Sequence, residues 1–399
     1  ASADTVVNAD ISADTTWTKL GSPYLVHYGI TIDQHATLSI ESGVEVLFGS
    51  GAYADVLGRL LVHGTSNEPV LFTSTARWGG IWFSNQHATS SLDHAVIQNA
   101  YAVSDYYSKG LSMANTIIEN GDYGIESYGG HLFLNNISVR NISEDAIVIG
   151  YGSDAVLKNI MLQNVGAGIG LYDGSSADIS NLFIDQTHDE ALALYDGSSV
   201  YISDSILTNG DRDGVGIYAG SAVDMRNSVI SGFADGAGIV DYEYWPSDPD
   251  NSLSLVDNDI HDKGIGISMY SKNSSYTISN NSIHDNLLYG FELYGTGNID
   301  VSNNFWGDPS GPYNDPDNLT GIGDALFYVP EGTVIFSPWL TSWGTPSVSS
   351  VLFLPGIEAS RLYRAGDIFG TNQLWEPNIE SDVHDLFLTA DGTSVRNDV

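Results

Sequence analysis

The sequence predicts an all-β fold, a parallel β-helix of stacked coils about 21–24 residues long. Three observations predict it. The first is a recurring phrase in which a small or apolar residue is followed, four positions on, by tyrosine. It reads Gly124-Ile-Glu-Ser-Tyr128, Ile147-Val-Ile-Gly-Tyr151, Gly168-Ile-Gly-Leu-Tyr172 and Ala191-Leu-Ala-Leu-Tyr195. It continues as Gly214-Val-Gly-Ile-Tyr218, Gly238-Ile-Val-Asp-Tyr242, Gly266-Ile-Ser-Met-Tyr270 and Gly290-Phe-Glu-Leu-Tyr294, with steps of 23, 21, 23, 23, 24, 28 and 24 residues. The second is a series at nearly the same step: Asn115, Asn136, Asn159, Asn181, Asp204, Asn227, Asn258, Asn281 and Asn304. The third is that each repeat holds short alternating segments, such as Ala177-Asp-Ile-Ser180, between turns such as Asp173-Gly-Ser-Ser176. None contains the helical periodicity that a βα solenoid needs.

One such unit cannot bury its own apolar face, so the units must stack, strand on strand about 4.8 Å apart. The repeat length and the asparagine series resemble the right-handed kind of parallel β-helix. Stacked asparagines in a turn can hydrogen-bond from coil to coil and satisfy backbone groups left over there.

Lysine and arginine number 13 against 50 acids, a formal charge of −37. That surface repels nucleic acid and anionic membranes. It suits cations, neutral glycans or a salty medium. Cysteine is absent, so redox compartment cannot be read from pairing. The longest apolar runs fall far short of a membrane span, and Ala1-Ser-Ala-Asp-Thr reads as a mature start. Low lysine content and several Asn-x-Ser/Thr sequences fit export.

In chain order, residues 1–90 read as a cap with irregular first coils. Ala36–Phe48, Gly58–Thr65, Pro69–Ser74 and Trp78–Phe83 resemble the β-helix start common in secreted bacterial surface proteins. Trp17 and Tyr24 precede them and are expected to cover the open end, where unpaired edges invite aggregation. Residues 91–343 read as regular coils, with His94 in the first asparagine position. An insertion carries Asp241-Tyr-Glu-Tyr-Trp-Pro-Ser-Asp-Pro-Asp250, whose aromatics and acids mark it as a functional loop. Asn303-Asn-Phe-Trp-Gly-Asp-Pro-Ser-Gly-Pro312 resembles the closing coil of bacterial right-handed β-helices.

Residues 344–350 read as a linker, and 351–399 change character. Val351-Leu-Phe-Leu-Pro-Gly-Ile-Glu-Ala-Ser-Arg-Leu-Tyr-Arg364, Leu374-Trp-Glu-Pro377 and Asp382-Val-His-Asp-Leu-Phe-Leu388 resemble the opening of lipase-like α/β-hydrolases of the lecithin:cholesterol acyltransferase type. The resemblance implies a parent serine esterase or lipase and makes the Ile357 N–H an oxyanion-hole position. The Gly-x-Ser-x-Gly elbow is missing, and the later Asp and His cannot be placed. The chain therefore reads as the start of a truncated second domain, inactive alone.

Three groups of residues carry chemistry. The tyrosine row, with Tyr151, Tyr172, Tyr195, Tyr218, Tyr242 and Tyr270, is expected to face outward beside small residues such as Gly170, Ala193 and Gly216. The row forms either a glycan track, to which Tyr244 and Trp245 of the insertion add, or a self-stacking ladder, off which Trp245 lies. Polysaccharide cleavage is the rival reading, and Asp189 with Glu190, Asp211 with Asp213, or Asp241 with Glu243 are its carboxylate candidates. The phrases of polygalacturonases and pectate lyases are absent, and Arg140, Arg212 and Arg226 are scattered. A structural stalk is the third reading. Asp308, Asn314, Asp315 and Asp317 can wrap a structural calcium or form plain Asx turns. His261 and His284, one coil apart, either take a transition metal or replace aliphatics at a turn. No cofactor is required, a monomer is expected, and a polysaccharide or cell-surface glycan is the expected partner of a secreted or surface-bound bacterial protein.

Overall fold

A computed structural model describes residues 4–84, 88–233, 236–242, 249–270 and 275–344. The chain divides into two units, Ala1–Val348 and Ser349–Val399, and every described residue belongs to the first. The hydrolase-like stretch, including Ile357, lies outside the described residues.

A typical coil has three strands, one on each face of the stack, paired in parallel with the coils before and after it. His131–Gly150 and Asp154–Leu171 instead run round as single strands. In one representative coil the three strands are Val215–Tyr218, Ala222–Arg226 and Val229–Ser231. Each pairs in register with its counterpart a coil later: Val215 with Ile239, Ala222 with Ser252, Val229 with Asp259. The result is a parallel β-solenoid of about twelve turns. Stretches expected to be irregular join the same three faces, from Thr5–Val7 through Gly80–Phe83. Trp17 and Tyr24 stack with ring centroids 4.6 Å apart and are buried at the first turn.

The core follows from alternation along each strand. Ile125, Ile147, Ile169, Leu192, Val215, Ile239, Ile267 and Phe291 occupy one register position in successive coils, and all are buried. Each such side chain contributes about 1.5–3 kcal/mol against exposure, but only because the next coil covers it.

The asparagine turn does two jobs, and the sequence series merges them. From Asn115 to Asn227 the series residue itself is left-handed, with φ between 48° and 57°. Asparagine and aspartate tolerate that region better than other side chains. Asn136 donates to Asn115 at 2.8 Å and Asn181 to Asn159 at 2.6 Å, while Asn159 reaches Asn135 instead. Downstream the left-handed position passes to Asp257, Asn280 and Asn303. Asn258, Asn281 and Asn304 are the residues after it and are fully buried. Their amides donate to Met225 O at 2.8 Å, Leu255 O at 2.9 Å and Ile278 O at 2.8 Å. Their Oδ1 atoms accept the N–H groups of Ser228, Asn258 and Asn281 at 2.9–3.0 Å. Serines 205 and 228 and Leu182 hold this inner position in earlier coils.

A second left-handed row was not singled out from the sequence: Asn99, Asn120, Asn141, Asn164, Gln186 and Asn209. Asn164 donates to Asn141 at 2.8 Å and Asn209 to Asp185 at 2.9 Å. One buried cation departs from the pattern. Lys263 is 2% exposed, its Nζ has no hydrogen-bond partner and lies 3.6 Å from the Phe233 ring centroid. Burial pulls its pKa down to about 6.

These assignments predict opposite outcomes at neighbouring positions. Asn281→Ala removes a buried amide that serves three backbone groups, and should cost about 1–3 kcal/mol in guanidinium titrations. Asn280→Gly keeps the left-handed turn and should cost well under that. At Lys263 the folded pKa lies below the unfolded one, so folding is penalised increasingly as pH falls from about 10.5 toward 6. Lys263→Met should therefore raise the melting temperature most below pH 6, and an unchanged acid stability would contradict the burial of an unpaired amine.

Candidate functional site

The outward residues of the first face build an aromatic column. Tyr172, Tyr195, Tyr218 and Tyr242 stack with centroids 4.9, 4.5 and 4.6 Å apart and ring planes within 14°. Tyr242 to Tyr270 widens to 6.3 Å, and Tyr270 to Tyr294 closes again to 5.1 Å. Tyr151 stands apart, left-handed at φ 56° and 60% exposed, with its ring edge-on to Tyr128 at 5.7 Å.

The small residues two positions upstream are where the rings rest. A Cβ on Gly170 would sit 2.7 Å from the Tyr172 ring, and one on Gly216 would sit 2.9 Å from the Tyr218 ring. The track expected to lie open beside the tyrosines is thus covered by them. Ring faces meet ring faces along the column, and the phenol edges and hydroxyls are the parts left to meet other groups.

Those hydroxyls run into a row of carboxylates on the loops that precede the sheet. Tyr218 donates to Glu190 Oε1 at 3.2 Å and Tyr242 to Asp213 Oδ2 at 2.6 Å. Asp213 also accepts the Ala237 N–H at 2.7 Å. Glu190 is 6% exposed. Burial and the adjoining Asp189 carboxyl push its pKa up to about 7. The hydrogen bond to Glu190 holds Asp189 below the usual carboxylate range, and Arg212 reinforces it. Arg212 bonds Asp189 at 2.8 Å and lies 3.8 Å from Glu190. His188 meets Asp211 at 2.8 Å on the same loops. Burial pushes Tyr195 up to about 12 and raises Tyr172, Tyr218 and Asp145 as well.

Asp189 and Glu190 are therefore brought together, with an arginine that sequence reading had set aside as scattered. Its signal was available, because Arg212 stands 23 residues after Asp189, one coil on. Asp241 takes a different place from the projecting loop expected for it. It lies in the strand Ala237–Tyr242, between Ile217 and Met269 in register, and is fully buried. Asn251 donates to it at 2.5 Å, and Tyr276 bonds its other oxygen. Glu243, Tyr244 and Trp245 lie outside the described residues.

The four residues offered for calcium do not form a carboxylate cluster. Asp308 accepts the Ser310 N–H and hydroxyl at 2.8 and 2.6 Å. Asn314 is buried, bridged to Asn318, while Asp315 and Asp317 are exposed. Among the described residues no group of three or more His, Asp or Glu is placed to hold a metal ion. His261 and His284 do stack, 5.0 Å apart, but on the outward side rather than in aliphatic positions. His284 lies between Asp259 and Asp285 at 3.0 and 2.8 Å, and these bonds push its pKa up to about 9. No helix among the described residues is long and apolar enough to cross a membrane.

The described residues form a right-handed parallel β-helix. Residues 78–230 match the family described as the right handed beta helix region. Among solved structures, the periplasmic alginate epimerase AlgG is 15% identical over 63% of this chain and 76% of its own, with a TM-score of 0.43. An alginate lyase from Paenibacillus sp. str. FPU-7 is 11% identical over 75% and 92%, with a TM-score of 0.38. The A-module of the Azotobacter vinelandii mannuronan C-5 epimerase AlgE6 is 9% identical over 80% and 88%, at 0.32. At these values the likeness is one of fold. No curated protein matches the chain.

The site carries its own pH signature. The pKa of Glu190 rises from 4.5 to about 7 on folding. Its contribution to stability is thus fully present below pH 4.5 and is lost as pH rises through 7. Glu190→Gln should flatten the fall in urea midpoint between pH 5 and pH 8 relative to the parent chain. Parallel pH profiles would show that Glu190 ionises normally.

Proposed function

We propose that the β-helix is a non-catalytic carbohydrate-binding or adhesive module of a secreted or cell-surface protein, one that continues into a lipase- or esterase-like domain. The observation that carries this reading is the convergence of Tyr218, Asp189, Arg212 and a nearly buried Glu190 at the edge of the tyrosine column. Ring edges with hydroxyls, an arginine fork and carboxylates offer donors and acceptors to a polyhydroxylated chain. The tyrosines recur coil after coil, and carboxylates meet their hydroxyls in two successive coils, at Glu190 and Asp213, a spacing that a linear polymer can follow. Sugar contact by stacking on the phenol faces is disfavoured between Tyr172 and Tyr242, since neighbouring rings occupy those faces.

A second reading is favoured by one specific feature. Glu190 titrates near neutrality beside an ionised Asp189, one proton donor next to one carboxylate, although the two are hydrogen-bonded to each other rather than about 5 Å or more apart as on either side of a glycosidic bond. In that reading Glu190 is the proton donor and the groove is an active site.

A glycan array and calorimetry separate the two. The module reading expects a polysaccharide hit that Arg212→Ala weakens about tenfold, roughly 1.4 kcal/mol, with no change in melting because Arg212 is half exposed. New reducing ends that appear with the parent chain and vanish with Glu190→Gln would establish the enzyme reading instead. An array without any hit would remove the module reading.

A further inference from the structure

A second concave site lies on another corner of the coil, at the asparagine turns. After the closing coil the chain runs back along this corner as a strap. Asn303 N–H donates to Pro338 O at 2.6 Å and Leu340 N–H to Asn304 O at 3.0 Å. Further along, the Trp343 indole N–H donates to Asn280 O at 3.3 Å. Strap and turns leave between them a crevice of about 480 Å³, lined by Asn227, Asp257, Asn280, Leu340, Ser342 and Trp343. We propose that this crevice binds one or two rings of an uncharged sugar, independently of the tyrosine–carboxylate edge.

The lining chooses the ligand. One indole and one leucine provide an apolar surface suited to the C–H face of a pyranose. Four side chains that donate or accept hydrogen bonds surround it, so the lining is more polar than that of an ordinary small-molecule pocket and the crevice is open to solvent, as suits a weakly held polyhydroxylated ligand. A wholly apolar ligand would cover the donors and acceptors that the ladder bonds leave over on these side chains, at a cost of about 1–3 kcal/mol for each one left unsatisfied. An anionic sugar would meet the Asp257 carboxylate on a chain of net charge −37.

The wall is also held ready. Asp257 and Asn280 are fixed in the left-handed region at φ 61° and 58°, and Asn280 donates to Asp257 Oδ1. Asn227 donates to Asp204 at 2.5 Å. Those ladder bonds orient the side chains before any ligand arrives, which lowers the entropy cost of binding. They engage Oδ1 of Asp257, so its Oδ2 can accept from a sugar hydroxyl.

Calorimetry of the full chain with the methyl glycosides of glucose, galactose, mannose and N-acetylglucosamine tests this. At least one should bind with a Kd on the order of millimolar, about −4 kcal/mol. Trp343→Ala should weaken that binding tenfold or more, and Asp257→Asn, which retains the left-handed turn, about threefold. Arg212→Ala should leave it unchanged, which separates this site from the tyrosine–carboxylate edge. Absence of binding for all four glycosides overturns the proposal. So does binding that survives Asp257→Asn and Trp343→Ala undiminished, or that Arg212→Ala abolishes. Should Trp343→Ala loosen the strap and shift melting, Asp257→Asn alone decides.

Discussion

Everything in this protein depends on in-register parallel stacking of one coil on the next. Strands about 4.8 Å apart force each side chain to sit over its counterpart, so every chemical choice is repeated or must be reconciled with its neighbour. Aliphatic positions become continuous columns and asparagines become ladders. Tyrosines become a stack whose faces are spent on one another. Charge is the awkward case, because 50 acids cannot all be placed in vertical register without repulsion. The loops before the tyrosine sheet show how this is handled. Arg212 is set against Asp189, phenol hydroxyls donate to Glu190 and Asp213, and Glu190 tends to keep its proton.

The same constraint explains what could be read from the sequence. A period near 23 residues shows through wherever the stack demands one residue type, and the fold followed from it. Alternation alone sends residues such as Ile169 and Leu171 inward, and they are buried. Alternation fails where a polar residue is tolerated inside. Asp241 follows Val240 in a strand and points inward, where Asn251 and Tyr276 bond it, and no local pattern announces those partners. The asparagine series slipped by one residue at Asp257-Asn258 because both positions accept asparagine, one for its backbone and one for its buried amide. Arg212 is legible only when the 23-residue period is applied to it, which sets it one coil after Asp189.

The two candidate sites fall where stacking is incomplete. Along the column the rings support each other and offer only edges; at its border, the loops bring acids, Arg212 and His188 to the surface. At the asparagine corner the strap leaves a crevice instead of a sealed wall. Both places combine a rigid, repeated scaffold with irregular neighbours, the usual division between a framework and the loops that bind. The carboxylates that repel polyanions also favour ligands whose recognition rests on hydroxyls.

Hydrogen–deuterium exchange, with and without a polysaccharide bound to the chain, tests the central claim most directly. The expected result is added protection in the loops bearing His188–Glu190 and Asp211–Asp213 and in the strand ends at Tyr195 and Tyr218, with the aliphatic interior unchanged. Protection confined to other faces of the coil, or none at saturating polysaccharide, would contradict the assignment of binding to the tyrosine–carboxylate edge.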